Sequence, residues 1–528
     1  MTAIDWIETL RERLAAEEIP AGVPDTQALH PARRLTVDAA AWGDAARIAA
    51  GLGARWAGMW GDPMTETLVL RSCMVRDGIY LVLECEAPNR DPAVPSQTPH
   101  FPAANRLERH CRDLLGVTFT DHPDARRWTR HKAWPDGDFP LRWDYALAGS
   151  QRDRSPADSD YPFERVQGHG VHEIPVGPVH AGIIEPGHFR FQAEGEEVLR
   201  LEARLGYTHK GIEKVAVGLF PKDLARLAGR VSGDSTVAHA WAACQAMERA
   251  AGCEPPSRAL HLRALLAERE RIANHLGDIG AICNDVGFAF AHVQCARLRE
   301  TWQRRNREIF GHRLLMDTVV PGGVSRDLPS GADATLREDH EALRRVIHPL
   351  FDIVDDHASL EDRLLGTGRL DTLDARFMGC TGYVAKASGV NVDVRRDSPY
   401  APYERFNVEN ATQTEGDVAA RVRVRMAEVN ISLGLIEQLL DSLPDGAVTR
   451  AMPTAATNAD GLGIVEGWRG EIVTYVRFGE AGSIARFHPR DPSWFTWPAL
   501  ERLIHGNIVP DFPVCNKSVN ASYSGVDL

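Results

Sequence analysis

The period of the hydrophobic pattern changes partway along the chain. Up to about residue 145 it mixes helical and strand-like stretches. Residues 39–52 are alanine-rich and helical in character, whereas 68–75 and 79–85 are apolar runs rich in Val, Leu and Ile that predict strands. Asp77-Gly78 between the two runs is a hairpin signal. A proline-rich break over 89–102 precedes a predicted helix at 103–115, ended by Gly116. These features describe an N-terminal α+β domain over 1–145. A polar stretch with small residues and proline, 146–165, reads as a linker. From 166 to 528 the pattern is mostly α-helical, with 3.6-residue periodicity over 257–280, 288–310, 336–363 and 417–443. Short strand-like pieces at 188–192, 197–202 and 471–478 predict small β-sheets beside those helices.

Composition narrows the function. The net charge of -13 leaves no basic footprint, so nucleic acid is not an expected partner. No run approaches the roughly 18–20 apolar residues of a membrane span, and Met1-Thr-Ala-Ile-Asp-Trp6 has none of the basic-then-apolar character of a signal peptide. The nine cysteines are scattered without a C-x-x-C pair, which predicts reduced, packed thiols and no clustered metal ligation. Pro321-Gly-Gly-Val324 lacks the preceding strand and the G-x-G-x-x-G spacing of a dinucleotide site. Any use of NADH therefore belongs to another chain.

Several motifs occur in a fixed order. In the N-terminal domain they are Glu108-Arg109 with Asp113 and Gly116, then His122-Pro-Asp-Ala-Arg-Arg127, then Pro140-Leu-Arg-Trp-Asp144. This part resembles the 30-kDa-type subunit of respiratory complex I. Further on come Gly177-Pro-Val-His180, Glu185-Pro-Gly-His188, His209-Lys-Gly-Ile-Glu-Lys214, Arg230-Val-Ser-Gly-Asp-Ser235 and Glu466-Gly-Trp-Arg-Gly-Glu471. The chain ends in Asn520-Ala-Ser-Tyr-Ser-Gly-Val-Asp-Leu528. This larger part resembles the 49-kDa-type subunit of complex I and the catalytic subunit of group 4 NiFe hydrogenases, the two modules being fused as in formate hydrogenlyase-type enzymes.

The resemblance carries a pointed departure. The hydrogenase motifs R-V-C-G-I-C-G-F-A-H and D-P-C-x-x-C-T-D-R supply four thiolates to nickel and iron. Here Ser232 and Ser235 stand at the first pair of positions, and Ser522 and Gly525 at the second. A serine hydroxyl ionises too weakly at neutral pH to replace a thiolate on a soft metal. The Ni–Fe centre is therefore expected to be absent, with no metal bound by this chain.

The resemblance assigns candidate roles. His180 and His188 fall where complex I binds a quinone headgroup, Glu185 where hydrogenases relay protons, and Asp285 where an aspartate orients a site histidine. Arg469 is placed over the cleft to stabilise an anionic intermediate. Ser232, Asp234, Ser235, His239, Ser522, Tyr523 and Asp527 would line the pocket left by the metal. The plain alternatives are turn-capping histidines, surface acids and ordinary ion pairs. Arg421 to Arg425 and His209-Lys210 suggest a face for a partner.

The resemblance implies the metal-free large subunit of a complex I-like, ion-translocating assembly. It would pass electrons from a small subunit with a 4Fe–4S cluster to a quinone or similar acceptor, peripheral to the inner face of the cell membrane beside antiporter-like membrane subunits. The alternatives are a redox-inactive scaffold and, with the thiols missing, a disfavoured NiFe hydrogenase.

Overall fold

The structure, a computed structural model, describes residues 5–149, 160–180 and 184–528. Most of the expected linker, 150–159, lies outside the described residues. In the N-terminal half, strands Arg33–Thr36, Arg55–Pro63, Thr67–Arg76 and Ile79–Pro88 form one sheet in the spatial order first, fourth, third, second. The first pairs parallel to the fourth, and the others form an antiparallel meander. The expected hairpin is present, with Asp77 and Gly78 at φ of 50° and 76°. Glycine is required at its tip for a second reason, because a Cβ on Gly78 would lie 1.9 Å from the Asp397 carbonyl oxygen. The turn thus docks directly on the second half of the chain.

In that second half the 29-residue helix Ser257–Asp285, about 43 Å long at 1.5 Å per residue, packs against helices Ala289–Phe310, Val418–Asp441 and Thr236–Ala251. The helix expected over 336–363 is two, Ala332–Asp355 and Ala358–Leu364, because His357 breaks the run and its Nδ1 accepts from Leu360 N. Strands Asp460–Gly467, Gly470–Phe478 and Ile484–Arg490 form an antiparallel sheet under the Thr236–Ala251 helix. Gly461 and Gly463 permit that approach: a Cβ at either would fall 2.1 or 1.9 Å from the carbonyl oxygens of Ala246 and Ala242. A second sheet comprises Val171–Val176, His188–Glu194 and Glu197–Arg204.

The hydrophobic core continues through both halves, and buried ions stitch the seam. Asp62 accepts from Arg477 at 2.8 and 2.9 Å and from the Tyr475 hydroxyl at 3.0 Å. Glu471 is held between Arg55, Arg490 and the Tyr80 hydroxyl. Glu213 receives His110, His488 and Arg486. Burial pushes the Asp62 and Glu471 carboxyls up, but their arginines prevail and hold both below the usual range.

All nine cysteines are buried and unbridged, as the packing reading expected. The expected partner face at Arg421–Arg425 is overturned. Arg421 and Arg425 are fully buried, donating to Gly416, Gly368 and Ser518 and to Asp278, and only Arg423 reaches the surface, where it pairs with Asp355. Lys210, by contrast, is exposed, with its Nζ donating to the carbonyl oxygens of Val231 and Ser524 at 2.9 and 2.8 Å.

Removing the charge of Glu471 would strand two arginines at the seam. Glu471→Gln is expected to destabilise the chain by about 3–5 kcal/mol, read as a lowered denaturation midpoint; an unchanged midpoint would mean that the seam does not depend on this carboxylate.

Candidate functional site

Two turns and the chain terminus meet beside the Ser257–Asp285 helix. The 230–235 turn leads into the Thr236–Ala251 helix, Trp468-Arg469 joins two strands of the central sheet, and Asn520 ends the Phe512–Val519 helix in the left-handed region at φ 36°. Arg469 binds them together. Its Nη1 and Nη2 donate to Asp234 Oδ1 and Oδ2 at 2.6 and 2.7 Å, and its Nε donates to the Asn520 carbonyl at 2.7 Å. The guanidinium lies 4.0 Å over the Trp468 ring, whose Nε1 donates to the Asp234 carbonyl. Burial pushes the Asp234 carboxyl up, but Arg469 outweighs it and holds the group below the usual carboxylate range.

The serines complete the floor. Ser232 Oγ donates to Asp234 Oδ1 at 2.8 Å and lies 2.9 Å from Ser522 Oγ, which accepts from Gly525 N at 2.9 Å. Ser235 is buried and receives Arg469 Nη1 at 3.2 Å. Behind this layer His239 Nε2 pairs with Asp491 Oδ2 at 2.8 Å, both groups being fully buried. Asp527 is buried too, accepting from Gly206 N and from the Thr208 hydroxyl at 2.8 and 2.6 Å.

Above the floor opens a cleft of about 760 Å³ lined by Glu185, Ser232, Asp234, Arg469, Ser522 and Tyr523, with Asp285 at its rim. Seven of the twelve residues expected from the sequence thus converge on one cavity. Tyr523 packs edge-on to Trp497, and burial pushes its phenol up to about 12 against the weaker opposing influence of the Asn516 side chain. Glu185 is exposed and accepts from Ser524 N at 2.8 Å.

The others stand apart from the cleft. Ser235, His239 and Asp527 lie behind its floor. His180 Nε2 bonds the Gly187 carbonyl, and His188 has Nδ1 on the Gly177 carbonyl and Nε2 accepting from Arg190. Burial, with Arg190 nearby, pushes the His188 imidazole down. Among the described residues Asp285 hydrogen-bonds no histidine, and His275 Nε2 is bound instead by Glu428 Oε2 at 2.6 Å. The carboxylate that faces the C-terminal segment is Asp278, which accepts from Asn520 Nδ2 at 2.8 Å and from Arg425 at 3.2 Å. Asp278 follows His275 by three residues, one helical turn, a spacing that could have found it.

The donor set does not fit a nickel–iron centre. Three positions offer neutral hydroxyls, the fourth has no side chain, and an aspartate–arginine pair occupies the space between them. Among the described residues no three His, Cys, Asp or Glu side chains gather as a metal-binding group. A Cβ on Gly525 would lie 2.6 Å from Asp491 Cγ, so any side chain there must displace the His239–Asp491 pair.

Comparison with known proteins gives the family. Residues 48–151 match the family model of the respiratory-chain NADH dehydrogenase 30 Kd subunit, 285–462 that of the 49 Kd subunit, and 210–277 that of nickel-dependent hydrogenase. Formate hydrogenlyase subunit 5 of Escherichia coli is 33% identical over 85% of this chain and 79% of that protein. The chain belongs to this family of fused complex I-like and hydrogenase large subunits. A subunit of the NADH-quinone oxidoreductase of Bacteroides fragilis is 30% identical over 82% of this chain and 85% of its own length. A subunit in the structure of the membrane-bound sulfane sulfur reductase, an archaeal respiratory membrane complex, superposes with a TM-score of 0.64 at 27% identity, covering 68% of this chain and 99% of that one. Such relatives are subunits of oxidoreductases, and so is this chain.

Two outcomes test the site as built. Gly525→Ala overpacks the Asp491 contact and is expected to destabilise by about 1–3 kcal/mol in chemical unfolding; parity with wild type would show that Asp491 yields freely. Burial, opposed by the Thr208 and Gly206 hydrogen bonds, raises the Asp527 carboxyl from 3.8 to about 6. The folded state therefore holds the proton more tightly than the unfolded state. The resulting stabilisation is complete below 3.8 and is lost as pH rises through about 6. Asp527→Asn should remove that fall from a pH series of unfolding midpoints, and an unaltered series would refute the assignment.

Proposed function

We propose that this chain is the metal-free large subunit of a complex I-like, ion-translocating redox complex at the inner face of the cell membrane. A small partner protein with a 4Fe–4S cluster supplies electrons, and the cleft holds the acceptor, a quinone or a similar small molecule. Antiporter-like membrane proteins couple the reaction to ion movement. The observation that carries this reading is the replacement of a thiolate set by the Ser232–Ser522 and Asp234–Arg469 contacts, on the floor of a cleft that remains open at about 760 Å³. Among the described residues no helix is long and apolar enough to cross a membrane, which suits a peripheral subunit.

In this reading the chain's own residues shape the pocket. Tyr523, backed by the buried Trp497, presents an aromatic wall, and Ser232 and Ser522 offer hydroxyls that both donate and accept. The Arg469 guanidinium acts on the floor by orienting Asp234. The likeness to a sulfane sulfur reductase supports a second acceptor class, a short sulfur chain, in the same cleft.

Purified complex should contain iron at the stoichiometry of its clusters and no stoichiometric nickel, while reducing a short-chain quinone. Tyr523→Phe should raise the quinone KM several-fold with little change in kcat, the loss of about one hydrogen bond. Stoichiometric nickel would overturn the metal-free reading. Retained activity with Tyr523→Phe and Ser522→Ala combined would move the acceptor elsewhere.

A further inference from the structure

The cations that line the cleft differ in how they are committed. Arg469 is spent on Asp234, and Lys517 sits 3.5 Å from Asp278. Arg299, on the Ala289–Phe310 helix, donates no hydrogen bond to and forms no ion pair with any described residue, and its Nε is sealed from solvent without a partner. His292, seven residues earlier and therefore on the same helix face, also lines the cleft with an unpartnered, buried Nδ1.

The neighbouring helix packs closely against both positions. A Cβ at Gly277 would lie 2.9 Å from Arg299 Nη1 and 3.2 Å from its Cδ, so the guanidinium rests on bare helix backbone. At Gly280 a Cβ would lie 2.7 Å from Cys295 Cβ and 3.3 Å from His292 Cα, so the two helices meet there at close range. The cleft acids are committed elsewhere. Asp278 is held by Arg425, Asn520 and Lys517, and Glu185 caps Ser524 N. Asp285 feels Lys517 and His292.

A guanidinium partly withdrawn from water needs an acceptor, and a planar oxyanion matches its fork best. We propose that Arg299, with His292 beside it, docks an anionic group on the small molecule that enters the cleft. The carboxylate or sulfonate of an acidic quinone and the terminal charge of a short sulfur chain share this chemistry. The proposal rests on the reading of the cleft as an acceptor site and narrows that acceptor to an anion.

Calorimetric titration of the full-length chain tests it with three probes: inorganic sulfate, a sulfonated naphthoquinone and the uncharged parent naphthoquinone. The sulfonated ring should bind about tenfold more tightly than its parent, and Arg299→Gln should abolish that difference. Arg299→Lys should retain part of it, and the thermal midpoint of each variant shows whether it has folded. Equal binding of the two quinones, or a preference that survives Arg299→Gln, overturns the proposal and leaves a neutral acceptor in the cleft. If neither ring binds, Arg299-dependent sulfate binding upholds the anion site while refuting the quinone reading, and absent sulfate binding refutes the anion site as well.

Discussion

The bidentate contact between Asp234 and Arg469 decides the form of the cleft floor. It joins positions 235 residues apart, and through the Asn520 carbonyl the same guanidinium reaches the terminal segment 51 residues further on. Two parallel charge-assisted bonds fix orientation as well as distance. Four thiolates around a metal would cross-link the same two motifs by coordination. In this chain one ion pair and one pair of hydroxyls perform that cross-linking. Arg469 is the buried partner and Asp234 is half-buried, and among the described residues Arg469 has no other carboxylate within hydrogen-bond reach, so without Asp234 its charge would be uncompensated.

A second buried network holds the loops that shape the cleft from behind. His275 contacts Glu428 at 2.6 Å, and Lys386 bridges Glu428 and Asp393 at 2.7 Å each. Arg395 then joins Asp393 to Glu268, which also receives the Tyr403 and Ser432 hydroxyls. Burial opposes ionisation of all three acids, yet the surrounding cations hold them ionised, Glu268 at about 2. Glu466 lies at the edge of this set with one oxygen unbonded, and burial pushes it up to about 8. Networks of this kind give little net stability relative to apolar packing. Their geometry, however, leaves each loop few alternative arrangements, which suits a cavity that must hold its shape.

Much of this was legible in the sequence because it depends on local rules. The Asp77-Gly78 turn, the Gly116 stop and the long helices follow from φ preferences and periodicity, and the missing thiols could be read one position at a time. What escaped depended on which faces are covered. Residues 55–63 form a strand buried at seven of its nine positions, so it shows no alternation to read. Arg421 and Arg425 look like a solvated stripe, but the Phe512–Val519 helix covers them, and its Ser518 supplies a hydroxyl acceptor to Arg421 and a carbonyl acceptor to Arg425. The resemblance points to Asp285 as the site aspartate, whereas Asp278 is the carboxylate that faces the C-terminal segment. On a helix, three residues bring an aspartate to the same face, and the Ser257–Asp285 helix extends past the expected end to carry Asp285 to the rim.

The same logic bears on where chemistry can occur in the cleft. An arginine over an open metal site can meet an anionic ligand directly. Once pinned to Asp234, Arg469 has its Nη atoms committed to that carboxylate and Ser235 and its Nε to a carbonyl. The floor then presents mainly neutral hydroxyls and an aromatic wall, which suit a ring better than a charge. The uncommitted positive charge lies across the cavity on the Ala289–Phe310 helix. A ligand with an apolar body and one anionic end would therefore lie across the cleft, its body on Tyr523 and its charge at Arg299. On the metal-free reading proposed above, the polarity of the pocket moves from its floor to its wall.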